Sequence, residues 1–158
     1  MKKRALKFAF FGCVLLGVIS NSQAGSDYTA LPGAVCQPYF GTDIENLTWE
    51  QGTIGVFAST WATIVMCPIP RMRVTGDLNL VRVNGNNYQN DTTSIGFHME
   101  SKYGVSGAYV SKSASGTGDW QVDFSDSELP DIDYYYYYLA ITLPEGSHIY
   151  RIWYDEEE

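Results

Sequence analysis

Five consecutive tyrosines, Tyr134 to Tyr138, form the most distinctive group of side chains that could bind another molecule. If the run is a β-strand, alternate side chains point to opposite sides, so Tyr134, Tyr136 and Tyr138 share one face. Rings in such a row can stack on sugar rings or pack on another protein, and their hydroxyls can form hydrogen bonds. We therefore predict a binding or interface surface at these three tyrosines. The alternative is a strand buried on both sides.

The acidic segment before the tyrosines is a second candidate site. It contains four closely spaced carboxylates, those of Asp126, Glu128, Asp131 and Asp133. Carboxylate oxygens on a loop are the ligands that Ca²⁺ prefers, and extracellular Ca²⁺ is abundant enough to fill weak sites. The spacing does not match the EF-hand pattern of alternating acidic or amide residues followed by glycine. The segment therefore predicts either a weak calcium site or a solvated loop, and no other cofactor is predicted.

The sequence contains no recognisable catalytic motif. GxSxG, SxxK and HExxH are all absent, and the two histidines, His98 and His148, are far apart in the chain. Any two of the eighteen acidic residues could be proposed as a glycosidase pair, so that possibility distinguishes nothing. We predict no catalytic residue and a non-enzymatic protein, with a secreted hydrolase as the alternative.

Residues 1–24 have the three-part pattern of a secretory signal peptide. Four cations come first, an apolar run from Phe8 to Ile19 follows, and a small-residue stop ends at Ala24. The apolar run is too short to cross a bilayer comfortably, which disfavours a membrane anchor. A lipoprotein signal at Cys13 is disfavoured because the apolar run continues beyond it. We predict cleavage after Ala24, a single domain over 25–158, and a secreted or periplasmic location.

The predicted mature chain is strongly acidic. Cleavage would remove four of the ten cations and none of the eighteen acidic residues, which leaves a net charge of about −12. Such a chain is repelled by nucleic acid and by anionic lipid, so neither is a predicted partner. Basic partners, cations and neutral glycans remain candidates.

Two cysteines, Cys36 and Cys67, remain after removal of the signal peptide. An even number of cysteines in an exported chain predicts a disulfide, which would tie the N-terminal segment to the end of an early strand. A redox or metal-binding pair is the alternative, and the absence of a CxxC motif disfavours it.

Period-2 patterns predict strands almost throughout the chain. Ile95, Phe97 and Met99 alternate with polar or small residues, and Trp120, Val122 and Phe124 do the same. Four further β-rich segments are predicted strands: Thr53–Phe57, Thr60–Met66, Leu78–Val83 and Val105–Lys112. Four Gly- and Asn-rich segments are predicted turns: Glu50–Gly52, Thr75–Asp77, Asn84–Asn87 and Ser115–Gly118.

This spacing of strands and turns predicts an all-β fold. We expect an antiparallel β-sandwich of about eight to ten strands, with jelly-roll-like connections, and a closed barrel is the alternative. No helix is predicted after residue 25. The segment Gly25–Val35 is expected to be either a flexible lead-in or a donor strand for a neighbouring subunit.

Three short motifs carry a resemblance to other proteins. They are Cys36-Gln37-Pro38, the segment Cys67-Pro68-Ile69-Pro70-Arg71, and the end of the tyrosine-rich strand at Leu143–Ser147. Together they resemble a loose group of small exported bacterial β-sandwich proteins with one cysteine pair, whose function is uncharacterised. The resemblance implies a bonded cysteine pair and a sandwich, and it implies no activity.

Two functional hypotheses follow from the sequence. The first is an exported β-sandwich that acts by surface contact, as a subunit of an extracellular or periplasmic assembly or as a protein-binding module. The second is a carbohydrate-binding module, with or without Ca²⁺. The two differ in what the tyrosine row contacts, which is either protein or sugar. Trp49, Trp61 and Trp153 are candidates to join that row.

Overall fold

A computed structural model describes residues 27–57, 61–70, 78–101, 106–129 and 135–156. The described residues form nine strands: β1 (Asp27–Pro32), β2 (Gln37–Pro38), β3 (Leu47–Glu50), β4 (Thr53–Val56), β5 (Thr63–Ile69), β6 (Leu78–Ser101), β7 (Ser106–Ser125), β8 (Tyr135–Leu143) and β9 (His148–Glu156). Three short 3₁₀ helices cover Gly33–Val35, Gly41–Asn46 and Asp126–Glu128. No α-helix occurs among these residues, and none of their helices has the length and apolarity needed to cross a membrane.

Two long strands, β6 and β7, organise the fold. They have 24 and 20 residues and pair antiparallel with each other, with an irregularity in register between Asn87 and Asp91. The first half of β6 also pairs with β9, and the second half pairs with β8. Each long strand therefore contributes to two sheets and changes sheet at the register shift.

The first layer, called the front sheet, contains the second half of β7, the first half of β6, β9, β4 and β3. Strand β1 also pairs with β9. The second layer, called the back sheet, contains the first half of β7, the second half of β6, β8, β5 and β2. Phe97 of the back sheet meets Phe124 of the front sheet with 5.9 Å between ring centroids. The fold is an antiparallel β-sandwich, as predicted.

The predicted turns at Asn84–Asn87 and Ser115–Gly118 are wrong, because both segments lie inside the long strands. Gly85 is required by close packing, since a Cβ there would clash with the Trp120 ring and with the backbone carbonyl oxygen of His148. Gly116 and Gly118 have φ of 104° and 103°, which favours glycine. These glycines allow β7 to bend between the sheets and do not reverse the chain.

Asn87 anchors the bend through its buried side chain. Its Nδ2 donates to the carbonyl oxygens of Asp91 and Ala114, at 3.2 and 3.3 Å. Its Oδ1 accepts from Thr93 Oγ1 at 2.6 Å and from Trp120 Nε1 at 2.9 Å. These four hydrogen bonds offset the free-energy cost of burying the amide. They also fix the path of both long strands.

The hydrophobic core lies between the two sheets, and the predicted alternation is confirmed along the strands that line it. Ile95, Phe97 and Phe124 are fully buried, and Val122 is 7% exposed. Trp120 is half-buried and packs against the same core, as predicted. The predicted turn at Glu50–Gly52 is confirmed and joins β3 to β4.

Cys36 and Cys67 form a disulfide with a sequence separation of 31, as predicted. The bond lies in the buried core and ties the start of β2 to its partner β5. Strand β1, within the segment Gly25–Val35, pairs with β9 of the same chain. The predicted signal peptide lies outside the described residues.

Candidate functional site

The tyrosines of β8 alternate between its two sides, as expected for a strand. Tyr136 is 68% exposed, whereas Tyr137 is only 5% exposed and packs in the core. Tyr138 is half-buried on the outer side of the back sheet, and Tyr134 lies outside the described residues. Tyr136 and Tyr138 therefore lie on the side of β8 that faces away from the core.

Tyr138 is part of an aromatic stack that crosses three strands. Its ring is parallel to the His98 ring, with 4.9 Å between centroids, and the Tyr109 ring lies 4.6 Å from His98 on the other side. The first distance matches the spacing of neighbouring strands, about 4.8 Å. His98 therefore occupies one face of the Tyr138 ring, whereas the Tyr109 ring packs against His98 at an interplanar angle of 47°.

Tyr138 also borders a small cleft of about 250 Å³. Its other lining residues come from β2 and β5: Gln37, Pro38, Met66 and Pro68. The lining is mainly apolar, and its polar side-chain groups are the Gln37 amide and the Tyr138 hydroxyl. This cleft offers few of the polar groups that fix the orientation of a ligand.

The structure describes two of the four predicted calcium ligands, Asp126 and Glu128. Glu128 accepts a hydrogen bond from Lys112 at 2.7 Å and two from Ser125, each at 2.9 Å. The Lys112 ammonium and then the Ser125 donors lower the pKa of Glu128 from 4.5 to about 2. Asp126 is exposed, and Asp131 and Asp133 lie outside the described residues. Within the described part of the chain, no three potential metal ligands are grouped, and calcium binding stays a prediction.

The outer surface of the front sheet, called the front face, carries a second and larger set of polar groups. Arg82 forms a two-point ion pair with Asp123, with Nε–Oδ1 and Nη2–Oδ2 distances of 2.8 Å. The hydrogen bond from Arg82 is the main cause that lowers the pKa of Asp123. Two parallel hydrogen bonds fix the plane of the guanidinium.

Neighbouring rows of the front face repeat this cross-strand pairing with amides. Asn84 Nδ2 donates to Gln121 Oε1 at 3.3 Å, and Asn86 Nδ2 donates to Asp119 Oδ1 at 2.8 Å. Gln121 Nε2 in turn donates to Asp123 Oδ2 at 3.2 Å. The planar polar groups of β6 and β7 therefore hold one another in position at the surface.

Strand β9 adds two rings and a guanidinium to the front face. The register between β6 and β9 shifts between Asn84 and Gly85, and both Tyr150 and Arg151 are exposed there. The Arg151 guanidinium lies 5.4 Å from the centroid of the half-buried Trp153 ring. Burial, followed by the nearby Asp119 carboxylate, raises the pKa of Tyr150, whose hydroxyl donates to that carboxylate.

These groups surround a cleft of about 600 Å³, called the polar cleft. It is lined by Gln51, Thr53, Arg82, Asn84, Gln121, Tyr150, Arg151 and Trp153. The lining combines aromatic rings with amide, hydroxyl and guanidinium groups. Such a surface can stack on an apolar ring face while it exchanges hydrogen bonds with hydroxyl groups around that ring.

The polar cleft contains none of the three tyrosines and none of the four acidic residues that the sequence predicted as sites. Trp153, a candidate to join the tyrosine surface, lies on the front sheet, whereas Tyr138 lies on the back sheet. The available signal was the polar side of two period-2 patterns, Arg82-x-Asn84-x-Asn86 and Asp119-x-Gln121-x-Asp123. Pairing those two segments in register would have predicted the rows.

No family model and no curated protein matches the sequence. Three solved structures show a distant likeness to the fold of this chain. A low-affinity xylan-binding module, CBM86, from Roseburia intestinalis shares 10% identity at a TM-score of 0.49, over 82% of this chain and 96% of that one. The GH26-CBM35 β-(1,4)-mannanase of Podospora anserina shares 12% at 0.48, over 83% and 28%. TmCBM61, in complex with β-1,4-galactotriose, shares 9% at 0.45, over 84% and 90%. Likenesses this distant carry no argument about function.

Proposed function

We propose that the protein is a non-enzymatic module that binds a neutral glycan in the polar cleft. The observation that carries the proposal is the composition of this one cleft, where Tyr150 and Trp153 adjoin amide and guanidinium groups held by cross-strand hydrogen bonds. Sugars present both an apolar ring face and a rim of hydroxyls. A site that combines aromatic rings with a few fixed polar groups suits such a ligand.

Preorganisation of the polar groups supports this function. The Arg82–Asp123 ion pair and the Asn84–Gln121 hydrogen bond place four side chains in fixed positions on β6 and β7. Binding then immobilises fewer free side chains, and each immobilised side chain would cost about 0.5–1.5 kcal/mol. The floor of the cleft is a sheet and not a loop, which adds rigidity.

The charges favour a neutral ligand over an anionic one. Asp123 compensates the charge of Arg82, and the guanidinium of Arg151, the second cation of the lining, lies over the Trp153 ring. The full sequence carries a formal net charge of −8, which repels polyanions at long range. Neutral oligosaccharides do not experience this repulsion.

The state of the carboxylates supports binding without catalysis. A glycosidase needs a protonated carboxylic acid as proton donor. The pKa of Asp123 is lowered by its hydrogen bond from Arg82, so this group is ionised at neutral pH. Asp119 is engaged by Asn86 and Tyr150. The disulfide is consistent with an oxidising compartment outside the cytoplasm, where polysaccharides are encountered.

The alternative of self-assembly or protein binding stays a prediction. In the donor-strand form of this alternative, the N-terminal segment would pair with a neighbouring subunit. Strand β1 of that segment instead pairs with β9 of the same chain. The polar rows of the front face also differ from the apolar core of most stable protein interfaces. These observations favour the glycan hypothesis.

The test is binding of the folded protein to an array of neutral oligosaccharides and polysaccharides, followed by calorimetry on the best ligand. Tyr150→Ala and Gln121→Ala each remove one exposed cleft group and should each weaken binding about tenfold, which corresponds to about 1.4 kcal/mol. Tyr136→Ala removes a more exposed ring from the back sheet and should bind as the unmodified protein does. Absence of binding to every neutral glycan, or unchanged binding by both cleft variants, would overturn the proposal.

A further inference from the structure

A second cleft on the same sheet, called the ring-lined cleft, has no role in the proposed binding at the polar cleft. It has a volume of about 370 Å³ and lies beside the C-terminal end of β4. Phe57 and Tyr88 line it with side chains that are 46% and 68% exposed. The rest of the lining is Thr48, Glu50, Val56, Gly146 and His148.

Two glycines shape the ring-lined cleft. Gly55 is the register partner of His148, and a Cβ there would lie 2.7 Å from His148 Nε2, so the imidazole occupies the space of the missing side chain. Gly146 has a φ of 68°, and a Cβ there would lie 2.9 Å from the Cβ of Tyr88. His148 and Tyr88 can therefore lie this close to the backbone only because Gly55 and Gly146 have no side chains.

The ring-lined cleft and the polar cleft are neighbours on the front face. Thr53 and Glu50 are register partners in the β3–β4 hairpin, and Thr53 lines the polar cleft while Glu50 lines the ring-lined cleft. His148 pairs with Gly55 on one side and with Asn86, which belongs to the polar rows, on the other. One hairpin and one strand therefore contribute to both clefts.

We propose, on the basis of the function proposed above, that the ring-lined cleft binds further sugar residues of the glycan held in the polar cleft. The protein then recognises an extended stretch of a linear neutral chain and not a single terminal sugar. Phe57 and Tyr88 offer ring faces for stacking, and Glu50 and Thr48 offer oxygen atoms that accept hydrogen bonds from sugar hydroxyls. Stacking beyond one cleft adds affinity that depends on the length of the chain.

The experiment is calorimetric titration with a series of neutral linear oligosaccharides, from dimer to hexamer, of the type selected by the array. For the unmodified protein, affinity should rise by about tenfold or more once the chain is long enough to reach the second cleft. The double variant Phe57→Ala/Tyr88→Ala should lose this gain and keep the affinity for the shortest oligosaccharide that binds.

A matched control is Trp49→Ala, which removes an exposed ring from β3. Trp49 alternates with Thr48 and Glu50 and so lies on the opposite side of the strand from the cleft. This variant should retain the full dependence of affinity on length. Gly55→Ala provides an independent variant that crowds His148, and it should reduce the gain without removing any ring.

The outcomes separate this inference from the proposed function. Length-independent affinity in the unmodified protein, or an undiminished gain in the double variant, would overturn the inference while binding at the polar cleft remains. Loss of the shortest ligand in the folded double variant would overturn it as well, since the rings would then form the primary site. A protein that binds no neutral glycan of any length refutes the proposed function itself. Thermal unfolding of each variant confirms that it is folded.

Discussion

The outer surfaces of the two sheets use similar residue types in different ways. On the back sheet, the rings of Tyr138 and His98 are parallel and stack on each other across neighbouring strands. On the front sheet, polar side chains pair across strands, as Asn84 does with Gln121, and the pairs line an open cleft. On the back surface Tyr138 and His98 pack on each other while Tyr136 stays exposed, whereas the front surface leaves rings and hydrogen-bonding groups around a shared cleft.

This difference means that a count of aromatic residues does not say which ring faces remain open at the surface. The tyrosine run is the most conspicuous feature of the sequence, yet His98 occupies one face of the Tyr138 ring. Tyr150 stands alone in the sequence, but a local irregularity in β9 exposes it beside fixed amides. Which faces remain free depends on the neighbours across the strands.

Removal of the disulfide should have the largest effect and should separate stability from binding. The double variant Cys36→Ala/Cys67→Ala should lower the free energy of unfolding by about 3–4 kcal/mol, because the unfolded chain gains conformational freedom over the sequence separation of 31. The bond lies at β2 and β5 of the back sheet, so the folded variant should bind glycan normally. Chemical denaturation and calorimetry measure the two quantities. Loss of ligand binding while the variant remains folded would contradict the independence of the two surfaces.

A smaller effect is expected from interruption of the back-surface stack. His98→Ala removes the central ring of the three and should cost about 1 kcal/mol of unfolding free energy, the contribution of aromatic contacts beyond simple burial. It should leave glycan affinity unchanged, whereas Gln121→Ala should lower affinity with little effect on stability. Reversal of this pattern, with affinity lost in His98→Ala, would place the binding surface on the back sheet.

The smallest predicted effect is on the pH dependence of stability. The pKa of Glu128 is about 2 in the folded protein and 4.5 ordinarily, chiefly because Lys112 donates a hydrogen bond to the ionised form. A lowered folded-state pKa contributes stability above pH 4.5, and this contribution is lost as the pH falls towards 2. Glu128→Gln should therefore lose less stability than the unmodified protein over this range. Denaturation midpoints at several pH values measure the difference, and parallel curves for the two proteins would contradict it.

Much of the fold could be predicted from the sequence because local patterns determine it. Ile95, Phe97, Val122 and Phe124 lie in the core as their period of two requires, and the disulfide follows from the cysteine count. The long strands were missed because Asn and Gly favour turns in general. Whether Asn87 ends a strand or anchors a bend depends on its partners, which include Trp120, 33 residues away in the sequence.

The candidate site was missed for a related reason. Its groups come from β6, β7 and β9, and each segment alone has the pattern of a strand with one solvated face. Only the register that places Arg82 opposite both Asp123 and Trp153 brings them together. Non-local pairing of this kind is not encoded in any one segment of the sequence.

The long strands β6 and β7 have a consequence for how the molecule opens. Because each strand belongs to both sheets, neither sheet can separate without disrupting the other, and Asn87 joins them at the bend. Loss of structure in one layer should therefore accompany loss in the other as a single cooperative event. A ligand bound to the front face should slow hydrogen exchange at the globally protected amides of β8 on the opposite layer, although it never contacts them.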